Sequence, residues 1–329
     1  MDTKIVKVGV IGVGNIGYHH ARVYSSMNDV NLVCVCDQDE KKGKEVAFKF
    51  KCKYYKNYLK MLEYEDLDAV SIAVPTSLHY EIGLDVLKAK IHVLMEKPLA
   101  SSTEEALELI KIAKENNTIL AVGHIERFNP AVQELKQYLS NGNLGEITSI
   151  VAKRVGVLPP QIKDTNVIID LAIHDIDIIC DLLGKLPTEI YASGGCALLS
   201  DRLDFADIFL KFGDIGCFIQ VNWLTPVKIR HLSVTGTKGY IELNYITQQV
   251  QLYQSDLRID YNDFGDFIIS FANPRITTVP IIPREPLQVE LESFIKAVKG
   301  ESCEIVSGEE GLRALKIAEL TIKQLKMNR

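Results

Sequence analysis

The 329-residue sequence predicts two domains in series: a doubly wound parallel α/β sheet, then an α+β domain on a large, mainly antiparallel open sheet. Three observations carry this. The length exceeds the usual single domain of about 100–200 residues. Short apolar runs alternate with helical stretches over the first third. After about residue 125 the chain changes to short strands separated by turns, without crossover helices. The expected boundaries are 1–125 and 126–329.

In the first domain, Ile5–Ile11 is an apolar run followed by glycines and a helical stretch, Asn15–Ser25. Asn31–Cys36 is the second run, ended by Asp37, and 40–50 reads as a helix. Ala69–Val74 is the third strand, stopped by Pro75, with a helix over 77–89. Ile91–Met95 is the fourth. Ser101 or Ser102 caps a helix over 103–115 whose first turn carries Glu104 and Glu105. Thr118–Val122 is the fifth strand. In the second domain a helix at 129–139 and the turn "NGNLGE" lead to a strand at 147–155, a loop with Pro159 and Pro160, and a helix at 167–183. Strands are expected at 188–197, 204–212, 216–224, 228–235, 239–244 and 248–253, and helices at 286–299 and 308–326.

With 47% hydrophobic and 24% charged residues the composition is that of a globular protein, and a net charge of −6 argues against nucleic-acid binding. The seven cysteines form no C-x-x-C and read as small core residues in a reducing compartment. No apolar leader is evident, and the longest apolar helix candidate, 167–183, carries four aspartates, so no membrane span is expected and the cytoplasm is the expected location; nothing resembles a zinc site, so no metal is expected.

Gly12-Val13-Gly14-Asn15-Ile16-Gly17 is a G-x-G-x-x-G between a strand and a helix, with Asp37 ending the next strand twenty residues beyond Gly17. That context is the dinucleotide fingerprint of a Rossmann domain. Gly12 permits the tight turn, Gly14 lets backbone approach a pyrophosphate, and Gly17 lets helix and strand pack; Asn15 and Ile16 open the helix whose N–H groups face the phosphates. A carboxylate at Asp37 accepts from ribose hydroxyls and repels a 2′-phosphate, so NAD is expected over NADP. Val74-Pro75-Thr76 and Glu96-Lys97-Pro98 also lie at carboxyl ends of strands, where open α/β sheets bind ligands.

The order "GVGNIG", "AVPTSLH", "EKPLASS" and "VGHIERFNP" resembles the Gfo/Idh/MocA oxidoreductases along essentially the whole chain. The resemblance implies NAD-linked oxidation of a sugar or cyclitol carbinol, a catalytic lysine at Lys97, cofactor contacts that extend to His79 and Glu96, and an Asp-x-x-x-His at Asp170 and His174. Many members carry glycines before that aspartate, where this chain has Val167-Ile168-Ile169. Asp170 and His174 are i and i+4 and share a helix face, continued by Asp177 and Asp181. An ordinary histidine titrates at about 6.5 and an ordinary lysine at about 10.4. His174 is therefore the expected base and Lys97 the group that polarises the substrate oxygen, with Asp170 orienting the histidine or contacting substrate.

"VGHIERFNPAV", "RVGVLPPQIKDTNVIIDLAIHDIDI" and "NWLTPVKIRHLSVTGTKG" resemble the nucleotide-sugar branch of the family, which implies oxidation of the C3 hydroxyl of UDP-N-acetylglucosamine to a 3-keto sugar. A diphosphate needs cations. Arg127, Arg154, Lys163, Lys228 and Arg230 are the candidates, with Asn129 beside Arg127, and Arg127 and Asn129 stand foremost because they follow the fifth strand. Trp223 reads as a core or interface residue, or as a platform for a base. Two other readings stay open: a dehydrogenase of a free sugar, inositol or other small carbinol, and a non-catalytic NAD-binding sensor. The resemblance further implies a homodimer or homotetramer formed through the second sheet.

Overall fold

The computed structural model describes residues 5–158, 165–254, 257–261, 267–271 and 275–327. The chain divides into two compact units, 1–128 with 285–317, and 129–284 with 318–329.

The first unit is a six-stranded parallel sheet in the order β3-β2-β1-β4-β5-β6. Its strands are β1 (Val6–Ile11), β2 (Val30–Cys36), β3 (Lys53–Tyr55), β4 (Ala69–Ile72), β5 (His92–Glu96) and β6 (Leu120–Gly123), and its helices are α1 (Asn15–Ser26), α2 (Glu40–Phe50), α3 (Tyr58–Tyr64), α4 (His79–Lys88) and α5 (Thr103–Glu115). Buried on both faces, β1 reads as a nearly continuous apolar run. Ser102 is the expected cap of α5, accepting from Glu105 N; Asp39 and Asn57 also cap, accepting from Lys42 N and Leu59 N.

In the first unit two elements escaped the sequence reading, β3 and α3. A three-residue strand followed after two residues by a seven-residue helix is too short for either period to register. The boundary also differs from a single cut at 125/126. Helix α8 (Pro286–Val298) belongs with the first unit, where Leu287, Leu291, Phe294 and Ile295 join the core of Val6, Val8, Val10 and Tyr24. An amphipathic face, not sequence order, decides where such a helix docks.

The second unit carries an eight-stranded sheet, β16-β13-β12-β11-β7-β10-β9-β8. Its members are β7 (Ile147–Val157), β8 (Glu189–Gly195), β9 (Phe205–Phe212), β10 (Ile215–Asn222), β11 (Leu224–Gly236), β12 (Gly239–Asn244), β13 (Gln249–Gln254) and β16 (Arg275–Val279); β14 (Leu257–Tyr261) and β15 (Phe267–Phe271) form a separate hairpin. Among the described residues of this sheet, only β7 and β10 pair in parallel. The alternation of β9 and β10 places Ile208, Leu210, Phe212, Cys217, Ile219 and Val221 on the buried face. α6 (Pro130–Ser140) and α7 (Ile173–Leu183) belong to this unit, and α9 (Gly308–Met327) ends the chain. Among the described residues no helix is long and apolar enough to cross a membrane.

Candidate active site

The glycine loop joins β1 to α1. Gly12 has φ +82°, and a Cβ there would lie 2.6 Å from the Ala73 carbonyl oxygen. At Gly17 a Cβ would come within 1.8 Å of the Gly12 carbonyl oxygen, so helix and strand approach as closely as only glycine allows. Gly14 is different: a Cβ there meets nothing within 4 Å, so its surface is open. No side chain caps the N-terminus of α1, and Asn15 and Ile16 are exposed. The loop thus presents a bare helix N-terminus over an open glycine, the geometry that receives a pyrophosphate. Asp37, at the end of β2, braces it: Oδ2 accepts from Val13 N at 2.8 Å and Oδ1 from Asp39 N at 2.8 Å. Lys41 and Lys42 are exposed on α2, whereas Gln38, Tyr55, Lys56, Asn57 and Lys60 line a cleft.

Val74, Pro75 and Thr76 follow β4 and are partly or fully exposed. His79 is buried, with Nδ1 2.8 Å from Pro98 O and Nε2 3.0 Å from Val74 O. Burial lowers its pKa, so a neutral ring donates to one carbonyl at a time. Its place is to tie the loop after β4 to the turn after β5; the sequence reading had it among the cofactor contacts. That turn contains Lys97, half-buried, and the Lys97–Pro98 bond is cis.

Glu96 ends β5. Its Oε1 is 3.0 Å from His20 Nε2, and it packs over Gly123, where a Cβ would come within 3.0 Å of the same oxygen. Burial opposes the charge on Glu96, but His20 and then Lys97 outweigh it and hold the carboxyl below its ordinary range. The sequence reading missed His20. Its signal was helical phase: Gly17, His20, Ala21 and Tyr24 form the buried stripe of α1, and a polar residue on that stripe requires a partner.

In the second unit, a π-helical turn over Ile168–Ala172 precedes α7. Such turns are frequent at functional sites. Asp170 lies within the turn and His174 in the first turn of α7; both are half-buried. Asn166 caps the start, its side-chain oxygen accepting from Ile168 N and Ile169 N. Trp223 Nε1 donates to Asp170 Oδ2 at 3.3 Å. The acidic stripe continues partly inward: Asp177 is buried, and Asp181 pairs with Lys136 at 3.1 Å.

The basic series separates. Arg154 is in the core, its Nε and Nη2 forked onto Asp175 at 2.8 and 3.0 Å and its guanidinium 4.7 Å from the Tyr245 ring centroid. Asn129 is also buried, accepting from Ala131 N and donating to Tyr245 O. Arg127 pairs with Glu310 at 2.6 Å. Burial opposes charge on Glu310, but Ser307 N–H and Arg127 keep it below its ordinary value. Arg230 Nη1 donates to the Val155 and Ile229 carbonyls. Lys228 is exposed on an irregularity of β11, where register with β7 breaks between Leu224 and Ile229. Lys163 lies outside the described residues. The expectation that Arg127 and Asn129 lead the set is revised: both are engaged within the fold, and Lys228 stands out to solvent. No cluster of metal-ligand type occurs among the described residues.

The chain belongs to the Gfo/Idh/MocA oxidoreductase family. The family models match at residues 6–124, as "Oxidoreductase family, NAD-binding Rossmann fold", and at residues 132–242, as "GFO/IDH/MocA C-terminal domain". Among its relatives, scyllo-inositol 2-dehydrogenase (NAD(+)) of Bacillus subtilis is 32% identical over 318 residues, 92% of this chain and 89% of that one. UDP-N-acetylglucosamine 3-dehydrogenase of Acidithiobacillus ferrooxidans is 29% identical over 314 residues, 95% of each chain. Its solved structure superposes with a TM-score of 0.85 over 98% of both chains at 28% identity. Myo-inositol 2-dehydrogenase of Thermotoga maritima is 27% identical over 98% of this chain and 97% of its own. The protein is an oxidoreductase with an NAD-binding Rossmann domain.

Proposed function

We propose that the protein oxidises the C3 hydroxyl of a UDP-sugar, UDP-N-acetylglucosamine, to the 3-keto sugar. The observation that carries this reading is the full-length similarity to the Acidithiobacillus enzyme in sequence and structure, together with an exposed lysine on the β11 irregularity. NAD supplies the hydride acceptor. The open surface at Gly14 and the bare N-terminus of α1 hold its pyrophosphate, and Asp37 its adenosine ribose. His174 accepts the hydroxyl proton, Lys97 polarises the oxygen and stabilises the developing alkoxide, and Asp170 orients the histidine. Lys228 and Arg230 contact the diphosphate, a charge-assisted interaction. Val151, Tyr191, Phe209 and Phe218 are exposed large hydrophobic residues on strands of the second sheet, which supports self-association through it, checked by sedimentation.

A second reading, oxidation of inositol or a free sugar, is favoured by the 32% identity to the Bacillus inositol enzyme. The test is incubation with NAD and a panel of UDP-sugars, free sugars and inositols, followed by absorbance of the reduced nicotinamide. UDP-N-acetylglucosamine should give the highest kcat/KM, and His174→Ala should lower turnover by about 10²–10⁴ while NAD affinity holds. Faster turnover of inositol than of any UDP-sugar sinks the specific assignment.

A further inference from the structure

Trp223 is the chain's single tryptophan. It is buried, directly after β10, and its position is fixed twice. Its backbone N–H donates to Asp204 O at 2.9 Å, and its indole N–H donates to Asp170 Oδ2 at 3.3 Å. Asp204 is itself anchored. Its carboxylate accepts from the N–H groups of Ala197, Leu198 and Leu199 at 2.6–2.9 Å, and its own N–H donates to Gly195 O. The neighbouring Leu203 O accepts from Val167 N at 3.0 Å, at the threshold of the π-helical turn that holds Asp170. The segment 195–204 and Trp223 thus bracket this turn from the helix start to the carboxylate. The turn has no glycine to shape it, since Val167-Ile168-Ile169 precede Asp170. The Asn166 cap and the bonds with Leu203 and Trp223 hold it instead.

We propose that Trp223 is a positioning residue for Asp170: its indole N–H fixes the orientation of the carboxylate, one helical turn before the proton acceptor His174. This rests on the reading of Asp170 and His174 given above. A donor aimed at a half-buried carboxylate is a charge-assisted bond, and it confines an otherwise two-fold torsion to one setting. The expected cost of losing it lies in turnover, because orientation of the acceptor matters to the chemical step and not to ground-state binding.

Two measurements test the pair. The first needs no catalysis. Emission of the lone indole reports its own surroundings, and excitation moves electron density from the pyrrole to the benzene ring. A carboxylate at the pyrrole N–H therefore stabilises the excited state and shifts emission to the red. Asp170→Asn should shift it to the blue; unchanged emission overturns the inference. The second uses the full-length protein with NAD and the best alcohol of the panel. Replacing Trp223 by benzothienylalanine, which keeps the bicyclic shape and removes the N–H, should lower kcat about 10-fold or more, change KM by less than about 3-fold and leave NAD affinity and thermal midpoint in place. In an Asp170→Asn background the same replacement should cost no more than about 2-fold. Losses that multiply in the double variant, or an isostere with full turnover beside a crippled Asp170→Asn, overturn the positioning role alone. An Asp170→Asn protein with full turnover instead removes the catalytic reading on which the role rests.

Discussion

The glycine loop of the first unit and the basic series of the second are both charge-recognition features in the sequence, yet they fare differently in the fold. The loop is local. Gly12 and Gly17 have the conformation and clearance a six-residue pattern implies, and Gly14 is open, because the pattern encodes backbone geometry. The cations are not local. Arg154 looks as available as Lys228 in the chain, but Asp175 lies 21 positions away and takes it into the core, and Glu310, 183 positions from Arg127, pairs with that partly buried arginine. A motif states what the backbone can do; a charge is free or spent only according to what folds against it.

The largest effect expected from this comparison is Arg154→Ala. It leaves Asp175 buried with the Tyr245 hydroxyl, 3.3 Å away, as a neutral donor. A buried charge stripped of its partner costs about 3–5 kcal/mol, so chemical denaturation should show a large loss of stability. A substrate-specific defect in a protein of unchanged stability would return Arg154 to the diphosphate site.

Next come the glycines, which divide the loop into structure and function. Gly17→Ala places a Cβ 1.8 Å from the Gly12 oxygen and should destabilise the protein by about 3 kcal/mol while abolishing NAD binding. Gly14→Ala adds a Cβ in open space and should cost at most about 1 kcal/mol of stability, yet still weaken NAD. Calorimetry of both variants with and without NAD separates the two roles. Equal stability losses would show that Gly14 is constrained by the fold and not by the ligand.

These contrasts also explain what was legible. The glycine pattern, the capping serine of α5 and the strand–helix alternation were readable because each is written within one or two turns of chain. The two-sheet architecture was readable from spacing. The return of Leu287, Leu291 and Phe294 to the first core was not, since an amphipathic helix does not name its partner. Likewise Glu96 was readable as part of a strand-end motif, but its bond to His20, 76 positions away, was not. Trp223 announced only that it is large; the carboxylate at its N–H is a product of folding.

Lys228→Ala sharpens the comparison from the other side. The side chain is exposed, so stability should move by no more than about 0.5 kcal/mol. If it contacts the diphosphate, the loss of about 1.5–3 kcal/mol should appear as a KM for UDP-N-acetylglucosamine raised about 10- to 150-fold, with kcat little changed. An unaltered KM moves the diphosphate elsewhere on the unit.

The last effect concerns an acid that the first unit buries with no hydrogen-bonded cation among the described residues. Glu290 on α8 is 2% exposed, and neither carboxyl oxygen has a hydrogen-bond partner among the described residues. Burial, then the charge of Glu96, pushes its pKa well above the ordinary carboxylate value, so the folded protein keeps a proton that the unfolded chain releases above about 4.5. The sign follows. Between that value and the raised one, the native state binds more protons, and stability falls with rising pH by up to about 1.4 kcal/mol per pH unit. Asp204 and Glu310 act oppositely, since their folded values are lowered and their stabilisation is lost on acidification. Glu290→Gln cannot release a proton and should therefore lose the alkaline-going decline: its stability relative to the parent should improve from pH 5 to pH 8. Thermal midpoints of both proteins across that range decide it. Parallel curves would mean that Glu290 is ionised within the fold, and that a buried acid here, like Asp175, has found a partner.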